Sequence, residues 1–286
     1  MTPLRAKMIE AMQLRGFSPR THDAYIANVR DLARFTHKSP DQVTEEELKA
    51  FFRHLVLERK LSSSSCWQFF NAIVFLYRQV LGQASFTLDV PLPKRKQRIP
   101  ELLNRSEVGR ILHVCTNPKH HMLLATCYGC GLRLSELVNL RVSDIDGERH
   151  LLRINQGKGA KDRLVIIGPT LLQQLRDYWC LLHPDPWLFP SRIKGLHLGV
   201  SSVQRLYTDA KRRAGITKVG GVHGLRHAYA THQLEAGLPI HRLQRQLGHR
   251  CISSTLRYIH WIADYREGKE EQDLLAMLEV DHDDTP

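Results

Sequence analysis

Residues 223–227 read His-Gly-Leu-Arg-His and start a segment that we predict to be helical. His223 and Arg226 are three positions apart, so in a helix or its first turn they lie on the same side and can hold one phosphate between them. An arginine offers two parallel N–H donors that match two phosphate oxygens, and its charge does not titrate away. The motif therefore predicts a helical domain in which one helix start carries a phosphate site.

A second arginine motif precedes it in the chain. Residues 131–137 read Gly-Leu-Arg-Leu-Ser-Glu-Leu and follow an apolar run, and the glycines allow the backbone to approach other groups closely. Glu136 stands three residues after Arg133, where its carboxylate can orient the guanidinium from behind. A solvent-exposed arginine on a helix would explain neither neighbour, so we predict Arg133 as the second guanidinium of the site and Glu136 as its support.

A lysine is expected on a hairpin between these two arginines. Residues 150–155 and 163–167 are short strand-like runs, and residues 157–162, Gly-Lys-Gly-Ala-Lys-Asp, join them. Lys158 then lies at a turn from which its amine can reach outward. The segment is not a nucleotide phosphate loop, because Gly-x4-Gly-Lys-Ser/Thr does not occur.

Two further motifs complete the set. Residues 247–249 read Leu-Gly-His, and Tyr258 follows nine residues after His249. Two guanidiniums, one amine and two imidazoles are the groups needed around a phosphate under attack, and a phenol can supply the nucleophile. The rival phenols by residue type are Tyr207, Tyr229 and Tyr265. Only Tyr258 follows a Leu-Gly-His motif.

The charge of the chain is large and uneven. The 286 residues carry a formal net charge of +12, which favours a polyanionic partner. The segment after Tyr258 holds nine acidic and two basic residues, a net of −7, which leaves +19 on residues 1–258. A basic protein could also bind a membrane surface or acidic proteins, but the body of this chain suits nucleic acid best.

Other compositional features point to the cytosol. No apolar run approaches the roughly 20 residues of a membrane-spanning helix, and the N-terminus lacks the apolar core of a signal peptide. The six cysteines follow no framework spacing, as expected of reduced thiols. We expect a cytoplasmic protein without membrane contact.

The first 82 residues predict four helices. Apolar residues recur at helical spacing after Pro3, after Ser18-Pro19, after Thr44 and after the serines at 62–65. Thr44-x-x-Glu47 is a capping box. The following segment, residues 86–100, holds three prolines and is predicted to be a linker. Its cations are expected on DNA phosphates and comprise Lys94, Arg95, Lys96 and Arg98.

Further basic residues are candidates for DNA contact. They close one predicted helix or surround His249, and comprise Lys211, Arg212, Arg213, Arg242, Arg245 and Arg250. Each of them could equally be an ordinary surface charge.

A metal site is not expected. Cys127-x-x-Cys130 has no second pair and lies in an apolar helical run, where core packing explains it better than zinc. His223 and His227 are four apart, as in a zinc-binding helix, but the arginine between them disfavours a cation. His227 is expected to pack or to touch phosphate.

The motifs together resemble those of a known family. Residues 100–262 are similar to the catalytic domain of tyrosine recombinases, the phage integrase and Xer-type family, with five motifs in that family's order. The resemblance implies a mainly α fold with a small β-sheet (α+β), in a two-domain clamp on DNA. Its parts are a SAM-like four-helix core-binding domain (1–85), a basic linker (86–100), a catalytic domain (101–265) and an acidic tail or docking helix (266–286).

The same resemblance implies a mechanism. Tyr258 attacks the scissile phosphate, forms a 3′-phosphotyrosine and expels a 5′-hydroxyl, while Arg133 and Arg226 stabilise the non-bridging oxygens. Lys158 protonates the leaving oxygen, His223 assists proton transfer around the tyrosine, and His249 bonds the phosphate. No cofactor is required, because the phosphotyrosine conserves the energy of the broken phosphodiester.

The family also implies partners and leaves alternatives open. Four protomers, monomeric when free, would act on two specific sites in double-stranded DNA and exchange strands through a Holliday junction, to integrate, excise or resolve a mobile element. A type IB topoisomerase or a non-catalytic DNA-binding regulator on the same fold are the alternatives.

Two terminal features bear on its role. The segment from Arg20 to Gly82 resembles integron-type integrases, although the extra segment that those carry ahead of the His223 motif is not apparent. In the tail, Leu274, Leu275, Met277 and Leu278 predict a short apolar helix. That helix could dock on a neighbouring protomer or on its own domain.

Overall fold

A computed structural model describes residues 2–94, 100–155, 162–262 and 273–280. The chain divides into two compact units, residues 1–98 and 99–286. Both units are built of helices, and the second also contains one small sheet. The expected class, mainly α with a small β-sheet, is confirmed.

Four helices form the first unit. They are α1 (Pro3–Leu14), α2 (Pro19–Thr36), α3 (Glu45–Arg53) and α4 (Ser63–Phe75), and single π turns at 54–58 and 76–80 extend the last two. Hydroxyl side chains start all four helices, since each N-cap residue accepts a hydrogen bond from a backbone N–H of the first turn. The predicted capping box is present, with the Thr44 N–H donating to Glu47 over 2.9 Å.

The first unit has its own apolar core. The apolar faces of the four helices meet, and the most deeply buried side chains include Met12, Leu32, Phe52, Leu55 and Ile73. This core accounts for the four helical patterns in the sequence, because each pattern contributes one buried stripe.

The second unit contains the remaining elements. Its helices are α5 (Arg105–His113), α6 (Pro118–Gly129), α7 (Leu134–Val138), α8 (Pro169–Leu182), α9 (Val200–Arg213), α10 (His223–Glu235), α11 (Ile240–Leu247), α12 (Ser253–Ile259) and α13 (Leu274–Val280). Helices α6 and α10 lie at its centre, since residues 122–128 and 228–234 are buried without a break. A run of seven buried residues covers the whole circumference of a helix, so both helices are surrounded by the rest of the unit.

The strands form one antiparallel sheet in the order β1 (Ile145–Asp146), β2 (Leu151–Ile154) and β3 (Arg163–Ile166). Leu152 pairs with Val165, and both side chains are fully buried against the helices. The two predicted strands are thereby confirmed. The turn between them, with Lys158, lies outside the described residues.

The last helix, α13, packs on its own unit. Leu274, Leu275 and Leu278 are buried against α5, α6, α8 and α10. The Asp273 carboxylate accepts hydrogen bonds from the N–H of Thr170 over 2.9 Å and from the N–H groups of Leu275 and Ala276 over 3.2 Å. In this single chain the tail helix therefore docks on its own domain. Within the described residues, no helix is both long and apolar enough to cross a bilayer.

The two cysteines of the Cys127-x-x-Cys130 motif belong to the core of this unit. Cys127 and Cys130 are buried at the end of α6, and the Cys127 thiol contacts the Leu132 carbonyl over 3.8 Å. Burial raises the pKa of the Cys127 thiol to about 12. A protonated buried thiol packs as a small apolar group.

Candidate active site

Helix α10 places Arg226 inside the protein. The predicted helix starts at His223, and the Arg226 side chain on its first turn is only 1% exposed. Nη1 donates to the Gly131 carbonyl over 2.7 Å, and Nη2 donates to the Leu247 carbonyl over 2.6 Å. Nη2 also donates to Nε2 of His249 over 3.1 Å. A buried guanidinium held at three N–H bonds has a fixed plane, as recognition of phosphate oxygens requires.

Arg133 stands immediately before α7. The Glu136 carboxylate accepts from both the Arg133 N–H and its Nη1, each over 2.8 Å, so the predicted support is present. Nη2 donates to the Gly248 carbonyl over 3.1 Å. The Arg133 side chain is 21% exposed, so part of the guanidinium still faces solvent. It is the partly open member of the arginine pair.

A third arginine, Arg163 at the start of β3, completes the support. It forms a two-pronged pair with Glu136, from Nη1 to Oε1 and from Nη2 to Oε2, each over 2.8 Å. Its Nε donates to the Gln246 carbonyl over 3.0 Å. These guanidiniums hold the Glu136 pKa at about 2 despite burial, which would raise it. Sequence analysis missed Arg163, whose position in a strand-like run carries no sign of a partner twenty-seven residues earlier.

The carboxyl end of α11 gathers all three guanidiniums. The successive carbonyls of Gln246, Leu247 and Gly248 accept from Arg163, Arg226 and Arg133 respectively. The last carbonyls of a helix lack partners within it and lie at its negative dipole end, so cations bind there. Gly248 has φ +62°, the left-handed conformation that ends a helix and that glycine adopts most easily. The Leu-Gly-His motif thus positions arginines as well as His249.

His249 is held at both ring nitrogens. Arg226 can only donate, so Nε2 of His249 accepts, and the Nδ1–H then donates to the Thr255 hydroxyl over 2.9 Å. Burial, followed by the charges of Arg226 and Arg133, lowers the pKa of His249 to about 3. The imidazole is therefore neutral at physiological pH.

Tyr258 on α12 is buried beside these groups, with 3% of the residue exposed. Its hydroxyl lies 3.0 Å from Nδ1 of His227, and its ring is parallel to that of His249 at a centroid distance of 6.2 Å. Trp261 covers it edge-on at 5.0 Å. Burial raises the pKa of the phenol, and the cationic groups of Arg226, Arg257 and Arg133 oppose that rise. The rival phenols Tyr207 and Tyr229 lie in the core, 1% and 0% exposed.

The other predicted residues have different settings. His223 is exposed on the first turn of α10, with its ring 4.6 Å from that of His227. Lys211 donates to the Lys218 carbonyl and, over 3.2 Å, to the Gly220 carbonyl, and Arg212 pairs with Asp209 over 2.6 Å. The other described candidates for DNA contact are exposed, and they are Lys94, Arg213, Arg242, Arg245 and Arg250. Lys158, Arg95, Lys96 and Arg98 lie outside the described residues.

The arrangement suits an oxyanion beside a phenol. Three guanidiniums surround one carboxylate, which leaves an excess of positive charge next to Tyr258, and the imidazoles of His227 and His249 are neutral at physiological pH. Across the described ranges, no group of three or more His, Cys, Asp or Glu residues is placed to hold a metal ion. The three arginines supply the positive charge of this arrangement.

Known proteins resemble this chain over most of its length. Residues 101–263 match the Phage integrase family, and residues 4–85 match the Phage integrase, N-terminal SAM-like domain. The integrase/recombinase y4qK of Sinorhizobium fredii is 39% identical over 91% of this chain and 84% of its own length. A tyrosine recombinase of Pseudothermotoga lettingae is 32% identical over 87% of this chain and 90% of its own.

A solved structure gives the same fold. A lambda integrase dimer bound to a core site matches with a TM-score of 0.72, at 18% identity over 94% of this chain and 97% of that one. The lambda integrase tetramer bound to a Holliday junction matches with a TM-score of 0.71, at 17% identity over 94% and 79%. On the family match over most of the second unit and the identity with these relatives, the chain belongs to the phage integrase family of tyrosine recombinases.

Proposed function

We propose that this protein is a site-specific recombinase that cuts and rejoins double-stranded DNA through a 3′-phosphotyrosine intermediate. The observation that carries the proposal is the burial of Tyr258 next to Arg226, whose guanidinium is fixed by three hydrogen bonds. A phenol and a fixed cation side by side are what attack on a phosphodiester needs.

Each group of the site then has a step. The Tyr258 oxygen attacks phosphorus, the bond to the 5′-oxygen breaks, and the DNA 3′-end stays on the enzyme. Arg226 and Arg133 stabilise the charge on the non-bridging oxygens, and in such sites each lost donor costs roughly 3–4 kcal/mol of transition-state stabilisation. We assign proton donation to the 5′-oxygen to Lys158, assistance of proton transfer around the tyrosine to His223, and phosphate contact to His249.

Rejoining is the same reaction in reverse. A 5′-hydroxyl of a second duplex attacks the phosphotyrosine, which conserves the bond energy, so neither ATP nor a metal ion enters the balance. The related lambda integrase is found as a dimer on a core site and as a tetramer on a Holliday junction. We propose the same order of events here, with four protomers on two sites.

The cellular setting follows from the substrate. We propose that the protein acts in the cytoplasm on the DNA of a mobile element that it integrates, excises or resolves. The uneven charge, +19 on residues 1–258 and −7 beyond, supports a body that lies on DNA and a tail that does not.

A covalent-capture experiment tests the function. A library of nicked duplexes with a random segment is incubated with the protein. The short fragment that carries the freed 5′-hydroxyl is then lost, which prevents religation and traps the adduct. We expect a denaturation-resistant protein–DNA adduct with an enriched sequence. Tyr258→Phe should form none, whereas Tyr265→Phe, the matched loss of a phenol seven residues later in the sequence, should form it. An adduct that survives Tyr258→Phe would contradict the proposal.

A second experiment separates recombination from relaxation. A type IB topoisomerase relaxes a supercoiled plasmid without a defined site, whereas a recombinase should exchange strands only between two copies of the captured sequence. Relaxation of a plasmid that lacks the sequence, at the rate seen with it, would favour the topoisomerase alternative. A regulator without catalysis would bind the sequence and yield no adduct.

A further inference from the structure

Among the described histidines, His227 is the one whose ring nitrogen lies within hydrogen-bond distance of the nucleophile, and the proposed mechanism gives it no step. Its Nδ1 lies 3.0 Å from the Tyr258 hydroxyl. The ring of His223, which the motif singles out, is 4.6 Å from that of His227, and His223 is exposed. Within the described part of the chain, His227 is therefore the imidazole placed to exchange a proton with the phenol.

One side of the contact is covered by an aromatic ring. Trp261 packs edge-on against both partners, at 5.5 Å from the His227 ring and 5.0 Å from the Tyr258 ring. Because water is displaced from this side, the His227–Tyr258 hydrogen bond does not compete with solvent and the phenol has a defined direction. Helices α10 and α12 are packed together, so both residues are on rigid elements.

We propose that His227 is a further catalytic residue, which holds the Tyr258 hydroxyl and accepts its proton as the phenol attacks the scissile phosphate. The inference rests on the proposed function. In the forward step the Tyr258 O–H bond breaks and its proton passes to Nδ1, the new O–P bond forms, and the P–O5′ bond breaks with a proton supplied from Lys158. In the reverse step the His227 imidazolium returns the proton to the departing phenol.

The charges around His227 set when the transfer can occur. The ring faces His223 and Arg226 from its own helix, and Tyr258 and Arg257 from α12. Burial, followed by the charges of His223, Arg226 and Arg257, lowers the pKa of His227 to about 4, so the ring is neutral and its lone pair is free to accept.

The same depressed pKa prevents premature ionisation. Burial raises the pKa of the phenol from its ordinary value while it lowers that of His227, so the free protein keeps the proton on Tyr258. The phenol becomes acidic only as its oxygen bonds to phosphorus, and a bound phosphate adds a negative charge that favours the imidazolium. Proton transfer is thereby tied to the presence of DNA, and an unbound enzyme does not expose a phenolate.

The test compares two substitutions of His227 on the duplex obtained by covalent capture with wild-type protein. His227→Asn places an oxygen near the position of Nδ1, so it keeps a hydrogen-bond acceptor but cannot take up the proton, whereas His227→Ala removes both functions. We expect both to lower the rate of adduct formation by about 100-fold or more. His241→Asn, an exposed histidine on α11, is the matched control, and thermal unfolding of each variant checks that the fold is kept.

A sulfur-substituted duplex distinguishes the two proton transfers. With sulfur at the bridging 5′ position the leaving group departs without a proton, so the defect of Lys158→Ala should be relieved. The defect of His227→Asn should persist, because the phenol must still lose its proton. The acid limb of the pH–rate profile should also change in His227→Asn, and His223→Asn is measured beside it because that imidazole is the nearest other titrating group.

The outcomes separate the inference from the function on which it rests. If wild-type protein captures no duplex, the proposed function fails. If it does and His227→Asn forms the adduct within about threefold of the wild-type rate, or if bridging sulfur restores His227→Asn, then His227 is not the acceptor. Slow cleavage by folded His227→Asn that sulfur does not relieve supports the assignment.

Discussion

Arg163 and Glu136 form two parallel hydrogen bonds of 2.8 Å, and through this pair the β-hairpin is joined to the arginine cluster. The Glu136 side chain is 4% exposed and also accepts from Arg133. Removal of one partner of a buried pair leaves the other charge poorly compensated. The pair therefore supports both the fold and the orientation of the guanidiniums.

Arg163→Ala should destabilise the protein by about 3 kcal/mol, because Glu136 would lose its two-pronged partner in a buried site. Adduct formation should fall as well, since Arg133 and Arg226 share the same carboxylate. Urea unfolding and the covalent-capture assay measure the two effects. The matched control is Arg153→Ala, whose partner Asp162 is on the same hairpin and largely exposed; its cost should stay below about 1 kcal/mol. Equal costs for the two variants would contradict the role given to Arg163.

Gly131→Ala should abolish folding or activity. Gly131 has φ +58°, and an added Cβ would lie 2.3 Å from Cδ1 of Tyr229, a fully buried ring. The backbone cannot move freely, because its carbonyl holds Arg226. Gly215→Ala is the matched control, since Gly215 has φ +69° and no atom within 4 Å of an added Cβ. The unfolding free energy of that variant should fall only by the cost of a left-handed backbone at alanine, about 1–2 kcal/mol. Circular dichroism with thermal unfolding compares the stability of the Gly131 and Gly215 variants.

The helices and the hairpin strands follow from local pattern, but the support of the site does not. Ser18, Thr44 and Ser62 start helices through bonds to their own first turns, so a single segment contains all the information. The three carbonyls at the end of α11 accept hydrogen bonds from arginines that lie in three distant segments of the chain. The sequence shows that Gly248 can end a helix, but which cations come to that end is decided by tertiary packing.

The contact of His227 is a second feature that the local sequence could not predict. The spacing of His223 and Arg226 correctly placed them on one helical turn. Spacing could not show that His227 contacts Tyr258, because the contact depends on how α12 packs against α10. The local sequence shows only that an arginine between two histidines disfavours a metal ion.

Acid should destabilise the protein partly through His232, which is buried and bonded at Nδ1 to the Tyr128 hydroxyl over 2.9 Å. Burial, helped by the charge of Arg105, lowers its pKa from 6.5 to about 4. Between these values the unfolded chain binds the proton and the folded one does not, so stability is complete above pH 6.5 and falls as the pH drops toward 4. His232 alone should cost about 2 kcal/mol between pH 7 and pH 5.

His232→Gln tests this expectation, because glutamine can still bond Tyr128 but does not titrate. Between pH 7 and pH 5, the unfolding free energy of this variant should fall by about 2 kcal/mol less than that of the wild type. Urea unfolding at both pH values gives the difference, and His241→Gln controls for the exchange on an exposed position. An unchanged fall in the His232 variant would show that another group is responsible.

Asp273 should anchor the tail helix to the catalytic unit. One carboxylate oxygen accepts from the N–H of Thr170 and the other from the first N–H groups of α13, so Asp273→Ala removes a link to α8 together with a helix cap. Loss of such a cap costs roughly 1–2 kcal/mol. Thermal unfolding should show the decrease, and Asp273→Asn should recover part of it because its amide oxygen can still cap. Asp209→Ala, on the exposed face of α9 and paired with Arg212, is the control and should have little effect. If Asp273→Ala unfolds like the wild type, the helix is not held by this residue, and the buried leucines 274, 275 and 278 alone keep it in place.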